Sequence, residues 1–185
     1  MTRLLDRTLD ILKSRGHSIN YEIRGQKVYF DDGSTFLLKS SPNSAAEQMI
    51  GEAKSLIAMD KAFPGICPKL IDSSLNDDDS DDFWMLTEYH DFGSTNSSHM
   101  QNLGKSLAKM HLNGVQPQGK FGFEMPTYCG ETKFKNEWHD NWVDFLNNDR
   151  FNYLLEQICG DTGVGDMEIW ELGQKLMSKL VLTLF

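Results

Sequence analysis

Apolar and polar residues alternate along residues 27–39 as they do in two half-buried strands. The alternating apolar positions are Val28, Phe30, Phe36 and Leu38. A period of two places such residues on one face of a sheet, and the Asp32-Gly33 pair between them is a common hairpin turn. We therefore predict a β-hairpin whose second strand reaches Lys39 and is stopped by Pro42.

Residues 44–61 change to helical spacing. The apolar positions of this predicted helix are Ala45, Ala46, Met49, Ile50, Ala53, Leu56 and Ile57. Ser44 with Glu47 three residues later predicts a capping box at its start. Glu52 falls on the same apolar face, where an unpaired carboxylate is costly to bury. We expect Glu52 to pair with Lys39, the alternative being that both side chains extend into water.

Several further elements follow from the same patterns. We predict a first helix ending at Gly16, strands at 17–24, 69–72 and 83–87, and helices at 100–111 and 167–185. His111 lies on the packed side of its helix, so we expect a hydrogen-bonded core histidine. Trp138, Trp142 and Phe145 are spaced to share a helical face, which favours core packing over stacking on a sugar or base.

The composition changes after Glu88 to a run of Gly, Ser, Thr and Asn. Such a stretch is typical of a connection between lobes. We predict a boundary near residues 88–97. Residues 1–90 would form an N-terminal lobe, and residues 91–185 would form the hinge and the beginning of a helical second lobe. The apolar end of the sequence suggests that the second lobe continues beyond Phe185.

The charge and the cysteines narrow the function classes. The net charge of −9, from 18 basic and 27 acidic residues, argues against nucleic acid or an anionic membrane as the main partner. The 3 cysteines form no disulfide framework or zinc pattern, and Cys129 has no basic neighbour, so we expect it to be inert. Acidic residues interrupt the N-terminal segment, which therefore resembles neither a signal peptide nor a presequence. We expect a cytoplasmic protein.

An acidic run could be mistaken for a calcium site. Asp77, Asp79, Asp81 and Glu88 match ligand positions of an EF-hand loop. However, Asp82 occupies the position that requires glycine, and an apolar strand follows where a helix should begin. We interpret the run as a solvated loop.

Several motifs in order give the chain a family resemblance. The most specific are Phe121-Gly-Phe123, Cys129-Gly-x-Thr132, Asn136-x-Trp138, Trp142, Phe145 and Arg150. Supporting motifs are Phe36-Leu-Leu-Lys39, Gly51-Glu52-Ala-x-Ser-Leu56, Pro68-x-Leu-Ile71, Thr87-Glu88 and Leu107-Ala-x-Met-His111. From about Ser18 to Phe185, the chain resembles the N-terminal part of the fructosamine/ketosamine-3-kinase (protein-ribulosamine 3-kinase) family.

The resemblance implies an α+β, protein-kinase-like fold. Its ATP lobe would be an antiparallel sheet with one orienting helix, followed by the start of a helical second lobe. Lys39 would hold the α- and β-phosphates and Glu52 would orient it, while backbone groups of Glu88 and His90 would bind adenine with Tyr89 between them. The implied reaction uses ATP and Mg²⁺ to phosphorylate the 3-hydroxyl of a ketosamine, free or on a glycated protein, which leads to deglycation.

The chain also departs from the family. It contains no His-Gly-Asp catalytic loop, and Asp91-Phe92-Gly93 precedes the second-lobe helices, so it cannot supply the later magnesium aspartate. Lys133-Phe134-Lys135 replaces the family's proline-rich segment, which leaves a substrate contact there open. We therefore expect a truncated chain that is inactive alone. The alternatives are a short non-catalytic nucleotide-binding or interaction module, and an aminoglycoside- or choline-kinase-like enzyme.

Overall fold

A computed structural model of the protein describes residues 2–17, 20–76, 82–114, 118–160 and 166–181. The chain divides into two compact units, Met1–Gly114 and Val115–Phe185. Compactness does not define a hinge, so the lobe boundary near residues 88–97 stays a prediction. The mixed class of antiparallel sheet and helices agrees with the sequence.

The first unit is built around a five-stranded antiparallel sheet with the strand order β1-β2-β3-β5-β4. Its strands are β1 (Tyr21–Arg24), β2 (Lys27–Phe30), β3 (Thr35–Pro42), β4 (Leu70–Ser73) and β5 (Asp82–Glu88). The predicted hairpin is confirmed, because β2 pairs with β3 with Val28 opposite Phe36. Gly33 supplies the positive φ of 85° that its turn requires.

A helix covers each face of this sheet. On one face, α1 (Thr2–Ser14) packs Leu9 and Leu12 against Val28, Trp84 and Leu86. On the other face, α2 (Glu47–Ala62) packs Ala53 against Phe83 and Met85. The sheet therefore has two apolar layers, and the alternation of side chains along β3 and β5 decides which residue enters which layer.

The end of α1 agrees with the sequence. The amide of Gly16 donates to the carbonyl of Lys13, and that of His17 donates to the carbonyl of Leu12. With Gly16 at a φ of 87°, this is a Schellman motif.

The start of α2 differs from the prediction. The helix begins at Glu47, after a 3₁₀ turn over Asn43–Ala45, and its N-cap residue Ala46 makes no side-chain capping bond. The predicted capping box between Ser44 and Glu47 is therefore wrong, because the 3₁₀ turn moves Ser44 out of the cap position. Ile57 is also exposed, at 47%, since the buried face of α2 is narrower than its apolar pattern suggests.

Helix α3 (Ser97–Asn113) corrects a second prediction. It begins at the N-cap Asn96, whose side chain accepts a hydrogen bond from the amide of His99. No residue of α3 is fully buried, and His111 is exposed. The core role predicted for His111 is therefore wrong, because the apolar spacing around it does not coincide with a packed face.

The second unit contains a short hairpin and a helical region. Its strands are β6 (Thr127–Cys129) and β7 (Thr132–Phe134), and its helices are α4 (Trp142–Leu146), α5 (Tyr153–Cys159) and α6 (Met167–Lys175). A π-helical segment, Asn147–Asn152, joins α4 to α5, and another, Leu176–Val181, follows α6. Trp138 does not share a helical face with Trp142 and Phe145, because it precedes the N-cap Asn141 of α4.

One interpretation of the sequence concerns residues outside the described ranges. Asp77, Asp79 and Asp81 lie outside them, so the loop interpretation of the acidic run stays a prediction. Across the described ranges, no helix is both long and apolar enough to cross a membrane.

Candidate functional site

The first candidate site is an ion pair between a central strand and a helix. Lys39 lies on β3 opposite Met85 of β5 and therefore shares the sheet face that α2 covers. Its Nζ atom is 2.6 Å from Oε1 of Glu52 on α2. Sheet register and helix position thus bring together the two residues that the sequence paired.

This ion pair is accessible to solvent. The Lys39 side chain is 26% exposed and the Glu52 side chain 43%. We expect Glu52 on the core face of its helix, and it does lie between the buried positions Gly51 and Ala53, but the residue itself is exposed. An exposed pair of this kind contributes only about 0.2–1 kcal/mol to stability. The pair therefore contributes little to holding the fold together.

The segment that follows β5 carries the other three predicted residues. Glu88 lies opposite Phe36 of β3, three residues from Lys39 along the strand, which is on the order of 10 Å. The Glu88 amide donates to the Lys69 carbonyl at 3.0 Å, and the Glu88 carboxylate accepts from the Lys69 amide at 3.0 Å. The Glu88 amide is therefore already engaged within the sheet.

His90 and Tyr89 differ in their surroundings. Nε2 of His90 lies 3.4 Å from Oε2 of Glu88, and His90 is exposed. Tyr89 accepts a hydrogen bond from Nζ of Lys27 and donates one to Oδ1 of Asp91. Sequence analysis did not single out Lys27, and its only signal was the alternation that places it on the face of Lys39.

The second polar cluster lies within the second unit and is buried. Asn136 is 6% exposed, and the Asp149 side chain is 3% exposed. Asp149 accepts a 2.6 Å hydrogen bond from the Glu137 amide through Oδ2, and its Oδ1 lies 3.1 Å from Nε2 of His139. Asn136 donates to the Met125 carbonyl and to Oγ1 of Thr127, both at 3.0 Å.

Arg150 completes this cluster. Its Nη2 donates to Oδ1 of Asn136 at 2.6 Å, and its guanidinium carbon lies 4.9 Å and 4.6 Å from the ring centroids of Phe134 and Phe145. Burial lowers the pKa of Arg150 and Asp149 opposes that shift, yet an arginine remains charged at neutral pH. Phe134, one of the departures from the family pattern, thus contacts the arginine of the family motif.

The backbone of this region is held closely. Among the described residues, Asn136 is the only non-glycine with a positive φ, at 144°. A Cβ atom on Gly122 would lie 2.6 Å from the carbonyl oxygen of Glu137. The backbones of residues 121–123 and 136–139 are therefore packed together, with paired bonds between Phe121 and His139.

Neither cluster forms an evident metal site. Within the part of the chain that the structure describes, no three His, Cys, Asp or Glu side chains converge as metal ligands. Lys39 fits an anionic ligand such as a polyphosphate, because a lysine ammonium is a mobile point charge that binds phosphate oxygens.

Comparison with known proteins gives consistent matches. A sequence profile described as fructosamine kinase matches residues 11–182. The chain is 28% identical to a protein-ribulosamine 3-kinase, chloroplastic, of Arabidopsis thaliana, covering 82% of this chain and 45% of that protein. It is 29% identical to ketosamine-3-kinase of Mus musculus, covering 97% of this chain and 65% of that protein. The chain therefore spans about half to two thirds of the length of these relatives.

Solved structures match at the level of the fold. A putative fructosamine-3-kinase from Thermobifida fusca superposes with a TM-score of 0.67 at 20% identity, covering 87% of this chain and 56% of that one. A second, from Haemophilus somnus, gives 0.60 at 20% identity, covering 86% and 55%. The predicted kinase-like α+β fold is confirmed.

Proposed function

Because this chain belongs to the fructosamine kinase family, we propose that its first unit binds the nucleotide of an ATP-dependent ketosamine kinase. The observation that carries the proposal is the 2.6 Å pair between Lys39 on the central strand and Glu52 on α2. A strand lysine held by a helix glutamate is the arrangement with which kinases position a lysine on ATP phosphates.

The roles of the individual residues follow from their positions. Lys39 would hold the α- and β-phosphates, and Glu52 would keep its ammonium group aimed at them. The carbonyl of Glu88 and the backbone of His90 would bind the adenine edge, on the strand next to Lys39. The separation of Lys39 and Glu88 along the sheet suits a ligand whose anionic and planar ends lie apart.

We propose that the substrate is a ketosamine, such as a ribulosamine or fructosamine, free or on a glycated protein. The support is family membership together with relatives that are named ribulosamine and ketosamine kinases. The phosphoryl acceptor would be the 3-hydroxyl of the sugar. A divalent metal, Mg²⁺ in most kinases, would stabilise the charge that develops during transfer.

The 185 residues contain no His-Gly-Asp sequence to accept the proton of that hydroxyl. We therefore propose that this chain binds nucleotide without transferring phosphate by itself. The same absence keeps open a second function, a non-catalytic nucleotide-binding module. The two functions differ in whether ribulosamine 3-phosphate forms when the chain is given ATP, Mg²⁺ and a ribulosamine.

Titration calorimetry with ATP tests the nucleotide site directly. Wild type should bind ATP, and Lys39→Met should weaken binding at least about tenfold, since a hydrogen bond to a charged group contributes about 1.5–3 kcal/mol. Lys13→Met is the matched control, because Lys13 lies on α1 and forms a local ion pair with Asp10. Equal ATP affinities for wild type and Lys39→Met would refute the proposal.

A further inference from the structure

Lys27 on β2 is joined to the segment after β5 by two kinds of contact. Its Nζ atom donates a 2.5 Å hydrogen bond to the hydroxyl of Tyr89 and lies 4.0 Å from the centroid of the tyrosine ring. The Tyr89 hydroxyl in turn donates to Oδ1 of Asp91 at 2.6 Å. The hydroxyl thus both accepts and donates, which fixes its orientation between a cation and an anion.

The register of the sheet shows where this contact runs. Lys27 pairs with Leu37, which is two residues before Lys39 on the same strand. Because side chains alternate, Lys27 and Lys39 share one face of the sheet. Strand β3 lies between β2 and β5, so the Lys27 side chain reaches Tyr89 across the face that carries the Lys39–Glu52 pair.

The contact acts at the point where the chain leaves the sheet. Tyr89 follows the last residue of β5, and His90 and Asp91 are both exposed. The hydrogen bond to Tyr89 raises the pKa of Lys27, so the lysine remains charged throughout the neutral range. The charged hydrogen bond and the cation–π contact therefore hold the Tyr89 side chain against Lys27.

We propose that Lys27 is a positioning residue for the nucleotide: through Tyr89, it holds the backbone of residues 88–90 in the conformation that binds the base. This inference rests on the proposed nucleotide function and extends it to a residue outside the Lys39–Glu52 pair. The simpler alternative is a surface contact without effect on ligands. The two differ in their effect on a ligand that has a base and no phosphate.

The test compares ATP with adenosine, each titrated into the 185-residue chain and followed by two-dimensional amide NMR. Lys27→Met should weaken both ligands by a similar factor of about five, because the base-binding segment must then be ordered on binding. Tyr89→Phe, which keeps the ring and loses the hydroxyl, should weaken both by a smaller factor. Lys27→Arg should stay within about twofold of wild type, since arginine can donate to the hydroxyl and stack on the ring.

Two control variants separate this inference from the proposed function. Lys39→Met should weaken ATP and leave adenosine unchanged, and Lys13→Met should change neither. If Lys27→Met binds both ligands like wild type, the inference is wrong, while loss of ATP binding in Lys39→Met would still support the nucleotide site. If Lys27→Met weakens ATP alone, Lys27 contacts phosphate and the positioning role is wrong. A wild-type chain that binds neither ligand would refute both proposals.

Discussion

The two polar clusters of this chain differ in what surrounds them. The Lys39–Glu52 pair joins a strand to a helix and leaves 26% and 43% of its side chains exposed. The cluster of Asn136, Asp149 and Arg150 is largely enclosed, with its hydrogen-bonding groups directed at neighbouring backbone and side chains. A pair that water can reach is able to exchange partners for a ligand, whereas an enclosed network stabilises one backbone arrangement.

In our proposal, the residues that identify the family are not the residues that bind its ligand. Asn136 and Arg150 belong to the most specific motif of the sequence, and they hold a loop and a helix together. Lys39 and Glu52 belong to weaker motifs that many kinases share, and they form a solvent-accessible ion pair.

The largest effect is expected at Asp149. Asp149→Ala removes the acceptor of the Glu137 amide and the partner of His139. Breaking a buried polar network of this kind should lower the free energy of unfolding by about 3 kcal/mol. This loss of stability can be measured by urea denaturation with tryptophan fluorescence as the signal. Three of the 4 tryptophans lie in the second unit: Trp138, Trp142 and Trp170.

Asp140→Ala is the matched control for that experiment. Asp140 pairs with Lys120 at 3.0 Å but its side chain is 85% exposed. Its loss should cost less than about 1 kcal/mol. Equal destabilisation by the two variants would mean that the second cluster is not structural.

A smaller loss of stability is expected at Gly122. Gly122→Ala places a Cβ atom 2.6 Å from the carbonyl of Glu137 at a φ of 157°. The backbones must separate, which should cost about 2 kcal/mol. Gly130→Ala shares a positive φ, 61°, but meets no atom within 4 Å. Gly130→Ala should therefore lower the free energy of unfolding by only about 1 kcal/mol. Equal losses in the two variants would argue against close packing at Gly122.

The pair in the first unit should behave in the opposite way. Lys39→Met should change the free energy of unfolding by less than about 1 kcal/mol, because the ion pair is exposed. Differential scanning calorimetry of the variant and wild type provides the measurement. A loss of unfolding free energy comparable to that of Asp149→Ala would show that Lys39 is a structural residue. The proposed difference between the two clusters would then be wrong.

The smallest effect concerns two thiols, one in each unit. Burial, with Asp60 and Glu88 nearby, raises the pKa of Cys67, so fewer thiolates form at pH 8 than in the unfolded chain. As the pH rises through the ordinary thiol range, the unfolded state is therefore stabilised relative to the native state, and the free energy of unfolding falls. Cys159 is 3% exposed in the second unit.

Alkylation with iodoacetamide, followed by mass spectrometry, reads out both thiols. Asp149→Ala should increase the rate at Cys159 and leave Cys67 unchanged, because only the second unit is loosened. Lys39→Met should change neither rate. A matching increase at Cys67 in Asp149→Ala would show that the two units do not respond separately.

Local patterns predicted much of the first unit. Alternation at Val28, Phe30 and Phe36 fixed the hairpin, because burial on one face of a sheet leaves a period of two. Helical spacing failed at His111, which is exposed on α3. Apolar spacing shows which residues share a helix face, but tertiary structure determines whether that face is covered.

The second unit was less predictable, because its organisation depends on contacts between distant residues. Asp149 accepts from the amide of Glu137, 12 residues away, and no local pattern marks an aspartate that will be buried. Trp138 was assigned to a helix because its spacing fits one, yet Asn141 caps the helix three residues later. Lys27 was missed for the same reason, since its partner Tyr89 is 62 residues away.

The most direct test of the account is a double-mutant cycle on ATP affinity with Lys39→Met and Glu52→Gln. If Glu52 acts by orienting Lys39, Glu52→Gln should weaken ATP binding in wild type and have no further effect in the Lys39→Met background. The coupling free energy would then be close to the whole effect of Glu52→Gln. Additive effects would show that the two residues act independently, and would contradict the assignment of the Lys39–Glu52 pair as the nucleotide site.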